Sequence, residues 1–212
     1  MSAALPLYLR KSYAFPIIWQ TVRGYAAASR MFQISRDTPA YFLTSVTHKR
    51  LSLFQKDAVK QIVADAFDEA RRSAGILIFA YVIMLEHTHL LTDNAREMKE
   101  VLRYVNGISA KRIVDYLKNN GFESSSAKLR IQERENKHKH SVYEHHPNAI
   151  RITGEDAFIQ KVNYIHLNPV REGLVEHPDE YLYSSARQWH RRALEKEPLT
   201  VNLDKIKWRA AA

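Results

Sequence analysis

Two histidines one residue apart, His87 and His89 in MLEHTHLLTDN, follow closely on the most apolar run of the chain, ILIFAYVIML at 76–85. On a β-strand, residues i and i+2 project from one face, so a strand that persists through Leu91 sets two imidazoles side by side. That is a two-ligand platform for a divalent metal. The chain contains no cysteine, so the remaining ligands must be carboxylate, amide or water rather than thiolate. A bare H-x-H is more often a pair of ordinary polar residues at a strand end, and it gains meaning only from a third group.

A second H-x-H, His138 and His140, sits in NKHKHS, where neighbouring lysines repel a cation and no apolar strand fixes the rings. These two, with His145 and His146, are read as a solvated basic surface. The stretch KVNYIHLN at 161–168 is more informative. On a helix Tyr164 and Asn168 lie four residues apart, about 40° from one another in projection, with Lys161 one turn before the tyrosine. With Phe158, Val162 and Ile165 as the buried stripe, Lys161, Tyr164 and Asn168 share the adjoining flank. One helix can thus offer a cation, a phenol and an amide to one site, although each residue alone also has an ordinary structural reading. Tyr104 and Tyr143 lack the spacing, whereas Tyr116 shares it with Asn120, so spacing alone does not choose the tyrosine.

The elements that must position these groups follow from periodicity. YFLTSVTH, from Tyr41, is β-branched and aromatic, as in a strand. DAVKQIVADAFDEARRSAG has the helical period, with Gly75 as its stop. ILIFAYVIML reads as a fully buried strand, and HTHLLTD as its partner or continuation. Ala95–Leu117 reads as a long helix with Gly107 a weak point. GFESSSAKLRIQERENKHKHS reads as a basic surface loop, and HPNAIRI as a short strand. A helix begins near Thr153 and is expected to end at Pro169, since the residue before proline is pushed out of the α region. This order predicts an α+β fold, with helices packed on one face of an antiparallel sheet.

The whole chain has 212 residues, with 32 Lys and Arg against 23 Asp and Glu, a formal charge of +9. Such a balance suits a polyanionic partner, nucleic acid or a membrane surface. The apolar run at 76–85 is far short of the ~20 residues of a spanning helix, and the N-terminus has no signal-like apolar segment, so a soluble cytoplasmic protein is expected. Residues 1–37 read as a basic N-terminal extension, 38–190 as the functional domain, and 191–212 as a basic C-terminal tail.

The stretches VIMLEHTHLLTD at 82–93 and DAFIQKVNYIHLNPVREGLVEHPDEYLYSSA at 156–186 resemble the HUH superfamily of single-strand DNA endonucleases, and within it the REP-associated single-tyrosine transposases. The resemblance spans roughly Tyr41 to Trp189. It implies a ferredoxin-like antiparallel sheet, metal ligands at His87, His89 and Asn168, and a nucleophile at Tyr164 with Lys161 as a helper. Glu86 stands where relatives commonly have Asn, Thr88 where they have a bulky apolar residue, and VYEHHPN replaces a stretch containing Trp-Gln.

The implied cofactor is Mg²⁺ or Mn²⁺, because two imidazoles and an amide leave positions for water and a phosphate oxygen. The implied chemistry is attack by the phenol, with a reference pKa of about 10, to give a 5′-phosphotyrosyl enzyme and a free 3′-hydroxyl. Single-stranded or hairpin DNA is the implied partner, contacted by basic residues including Arg103, Lys111, Arg112, Lys137 and Lys139. Action as a monomer is implied, and the alternative from the same resemblance is a DNA-hairpin-binding protein that no longer cleaves.

Overall fold

The structure, a computed structural model, describes residues 30–129, 141–145 and 147–209. Four antiparallel strands, β1 (Ala40–Val46), β2 (Ile78–Ile83), β3 (His87–Thr92) and β4 (Asn148–Ile152), form one sheet in the order β2-β3-β1-β4. The helices are α1 (Asp57–Ala74), α2 (Met98–Asn119), the short α3 (Glu123–Lys128), α4 (Glu155–Arg171) and the short α5 (Ala186–Trp189). α1 links β1 to β2 and α2 follows β3 on the way to β4, each connection skipping one strand. This is the ferredoxin-like βαββαβ arrangement, and it agrees with the expected α+β class.

Val59, Val63, Phe67, Ala70 and Ala74 form the buried stripe of α1, and Gly75 closes that helix in the left-handed region at φ 66°. α2 runs unbroken through Gly107. α1 and α2 pack on each other and on one face of the sheet, where Ser45 Oγ donates to Asn106 Oδ1 of α2 at 2.9 Å. α4 crosses the opposite face, against β2 and β3. The expected single helical layer therefore describes α1 and α2, while α4 forms a third layer over the face that carries the histidines. With helices on both sides every residue of β2 is buried, which explains the unbroken apolar run at its core.

One local expectation is resolved and two are corrected. Of the two readings of HTHLLTD, the partner strand is the one observed. A tight turn at Leu85 and Glu86 reverses the chain, Met84 N–H donates to the His87 carbonyl, and His87 opens the neighbouring strand β3. Pro169 does not end α4, which continues to Arg171. So close to the C-terminus proline forfeits little, and the stop comes later: Gly173 at φ 68°, with Leu174 N–H donating to the Pro169 carbonyl and Gly173 N–H to that of Val170. The stretch read as a basic loop from Gly121 contains α3; its residues 130–140 lie outside the described set, as do His146 and residues 1–29.

The segment after α4 is polar in composition yet structural in use. Asn202 N–H donates to the Ile78 carbonyl, Ser185 N–H to that of Tyr81 and Trp189 Nε1 to that of Phe79, while Ile83 N–H donates to the Tyr183 carbonyl. These bonds satisfy the outer edge of β2, which an edge strand otherwise offers to other chains. Leu199, Val201 and Ile206, within the stretch read as a tail, are buried in the core with Phe32 and Ile34 of the stretch read as an extension.

Candidate active site

β3 lies between β2 and β1, and its register sets His89 opposite Thr44 and His87 opposite Val46. Alternation along the strand turns both imidazoles to the α4 side and Thr88 to the other, where it is buried. The two rings stand 4.9 Å apart, edge to face. Thr44 Oγ1 lies 2.9 Å from His89 Nδ1, and Phe42 stacks on the same ring at 5.3 Å. With Nδ1 engaged, His89 Nε2 is buried without a partner, and His87 Nδ1 is buried without one as well.

α4 brings Tyr164 onto this pair because its buried stripe, Phe158, Val162 and Ile165, faces the sheet. The Tyr164 ring lies 5.2 Å from that of His89 and 5.8 Å from that of Phe42, both edge to face. Lys161 Nζ stands 5.6 Å from the centre of the tyrosine ring and 4.8 Å from that of Phe42, and the Arg171 guanidinium lies 5.1 Å from the tyrosine. Asn168 is buried beside His87 as its hydrogen-bond partner. The residues expected to share a site, His87, His89, Lys161, Tyr164 and Asn168, are therefore brought together.

Burial pushes the His89 imidazole down to about 3, and the charges of His87 and Lys161 add to the effect. Burial also lowers His87, against the opposing pull of Asn168. Both rings are thus held neutral, the form that ligates a metal. Two buried ring nitrogens without partners, neutral and adjacent, beside a buried amide, fit a divalent cation. No group of three or more His, Cys, Asp or Glu able to hold a metal occurs among the described residues; the polar groups gathered beside Tyr164 are two imidazoles and an amide.

Other tyrosines are placed elsewhere. Tyr143 is buried with its hydroxyl 2.8 Å from Ser109 Oγ, and Tyr116 packs on Phe122 while Asn120 Nδ2 donates to the Tyr116 carbonyl. The spacing that Tyr116 shares with Tyr164 is thus a helix-end contact on the other side of the sheet. Glu86, in the turn before His87, pairs with Arg50 at 2.6 Å.

Of the basic residues expected at DNA, Arg103 and Lys111 are exposed on α2, beyond the sheet from the histidines, and Arg112 pairs with Glu69 of α1. Lys137 and Lys139 lie outside the described residues. Sequence reasoning missed Thr44, Phe42 and Arg171, which touch His89 or Tyr164. It also missed the role of His166, whose Nε2 lies 2.9 Å from Ser185 Oγ, while the same oxygen accepts Tyr81 N–H at 3.0 Å. The Ser-Ser of the C-terminal stretch is therefore a tether between α4 and the edge of β2.

The fold, a four-stranded antiparallel sheet with helices on both faces, is shared with a solved transposase structure. In particular, the chain is similar to the solved structure of a REP-associated tyrosine transposase bound to a REP hairpin, with a TM-score of 0.54 and 15% identity over 86% of this chain and 93% of that one. A candidate transposase from Deinococcus radiodurans R1 aligns more loosely, with a TM-score of 0.40 and 17% identity over 69% of this chain and 95% of that one. No protein-family model matches the chain, and no curated protein matches it. Among the described residues no helix is long and apolar enough to cross a membrane.

Proposed function

We propose that the protein is a transposase-type endonuclease and strand transferase that cleaves and rejoins single-stranded or hairpin DNA through Tyr164. The observation that carries this reading is the Tyr164 ring set 5.2 Å from His89, one of two neutral imidazoles with unpartnered buried nitrogens. A phenol beside a metal-competent pair is the arrangement that nucleophilic phosphodiester cleavage needs. Mg²⁺ or Mn²⁺, held by His87, His89 and Asn168, would polarise the phosphate and lower the cost of the phenolate when bound.

In this reading Tyr164 Oη attacks the scissile phosphorus, losing its proton as the new O–P bond forms. The P–O3′ bond breaks, and the departing oxygen takes up a proton to become a free 3′-hydroxyl. The fragment downstream of the cut stays on the tyrosine through its 5′ phosphate as a phosphodiester, so the reverse step, attack by a 3′-hydroxyl, joins strands without an external energy source. Lys161 and Arg171, at 5.6 Å and 5.1 Å from the ring centre, favour a phosphate at this spot and oppose its charge as it grows. Arg103 and Lys111, on the helical face beyond the sheet, are proposed to meet the backbone of the hairpin away from the cleaved strand, and Lys137 and Lys139, outside the described residues, are proposed as further backbone contacts.

Nicking of an end-labelled hairpin oligonucleotide in Mn²⁺ tests the reading. The wild type should nick it and Tyr164→Phe should bind it without nicking. Binding without cleavage by the wild type would favour a hairpin-binding protein, and cleavage by the phenylalanine variant would favour a metal-bound water as nucleophile.

A further inference from the structure

α4 covers only half of the face on which it lies. It packs on β2 and β3, whereas on β4 Asn148 is exposed and Ile150 is 39% exposed. The register makes the open half continuous with the histidines: His89 pairs with Thr44, and Thr44 pairs with Asn148, so the three side chains form one row across three strands. At strand spacings of about 4.8 Å, Asn148 stands some 10 Å from His89, within one to two nucleotide steps along a single strand.

A groove of about 280 Å³ opens at this end of the row, lined by Thr44, Val46, Arg50, Glu144, Pro147 and Asn148. It lies where the β1–β4 ladder breaks: Glu144 N–H still donates to the Val46 carbonyl, and regular pairing resumes only at Asn148. Its rim carries unusual backbone. Lys49 and Arg50 are consecutive non-glycine residues in the left-handed region, at φ 53° and 51°. Such conformations cost free energy and persist where surrounding contacts impose them, often beside functional sites. Here the Glu144 carboxylate accepts Lys49 N–H at 2.6 Å, and the Glu86 carboxylate holds the Arg50 guanidinium. The turn thus fixes Arg50 and Glu144 at the groove.

We propose that this groove seats one nucleobase of the single strand, the one next to the phosphate that Tyr164 attacks, and reads its Watson–Crick edge. The inference rests on the proposed cleavage of single-stranded DNA. The Asn148 amide offers a donor and an acceptor, the Glu144 carboxylate an acceptor, and Arg50 a cation for the adjoining phosphate. Unstacked bases expose that edge to such groups, and one paired amide contact discriminates about 5- to 100-fold between bases. Val46, Pro147 and the neighbouring Ile150 give the base an apolar floor.

Capture of covalent adducts from an oligonucleotide pool randomised around the cleavage position, followed by sequencing, tests the proposal. The wild type should show a base preference of about tenfold at one position beside the cut. Asn148→Ala, at an exposed edge-strand position, should flatten that preference and leave those further away intact. Glu144→Gln, which keeps an acceptor for Lys49 N–H, should change which base is preferred there. An unchanged profile in both variants, with adducts still formed, would overturn the base-reading groove and leave the cleavage reading standing. Failure of the wild type to form adducts with any member of the pool would overturn both.

Discussion

At the scale of single residues, the site depends on which nitrogens are left over. Thr44 engages His89 Nδ1 at 2.9 Å, so the buried Nε2 is the atom available to a metal. Partners that orient a ligating histidine typically contribute 10- to 100-fold to metal affinity. His89→Ala should therefore abolish Mn²⁺ binding, followed by the resonance of free Mn²⁺ in a titration, and Thr44→Val should weaken it about tenfold or more. Undiminished binding by His89→Ala would remove the H-x-H pair from the metal site. The His pair and the Tyr164, Asn168 and Lys161 flank were legible because each lies within one element, where a period of two or of 3.6 dictates which side chains share a face. Thr44 was not, since it meets His89 across 45 residues of sequence through a strand register that no local pattern encodes.

At the scale of elements, α4 carries the tyrosine and must be held at a fixed depth over β3. Its tether is the buried His166–Ser185 contact, which ends on the Tyr81 backbone in β2. Ser185→Ala would leave a buried N–H and a buried imidazole nitrogen without partners, so a loss of about 1–3 kcal/mol is expected as a lower urea midpoint. A midpoint equal to that of the wild type would show that the tether contributes nothing. α1, β2 and α2 were readable because their apolar periods are long and clean. The end of α4 was misread because proline is a strong stop only where several hydrogen bonds follow it, and here Gly173 sets the stop. The reverse turn at Leu85 and Glu86 carries no glycine, proline or asparagine, so nothing in its composition decided whether HTHLLTD was a partner strand or a continuation.

At the scale of the whole molecule, the C-terminal segment closes the sheet. Arg187 is buried with Glu197, and its guanidinium also donates to the carbonyls of Asp179, Tyr181 and Leu182, so its donors are occupied. Removing one partner of a buried pair strands the other charge, and Glu197→Ala should destabilise the fold by about 3–5 kcal/mol, read as a large fall in melting temperature. A fall within about 0.5 kcal/mol would mark the segment as a surface appendage. This closure was not legible, because the segment has no period of its own and owes its burial to the edge of β2. The α+β class was legible from the order of elements, whereas the ferredoxin-like strand order was expected only from the family resemblance, because element order alone does not say which strands are neighbours. The proposed role of this assembly is to hold one tyrosine at one phosphodiester. Its most direct test is the mass of the intact protein after incubation with single-stranded hairpin DNA and Mn²⁺, followed by peptide mapping. A single added downstream fragment, linked through its 5′ phosphate, is expected on Tyr164 and absent from Tyr164→Phe; an adduct on another tyrosine, or one that persists in the variant, would overturn the proposal.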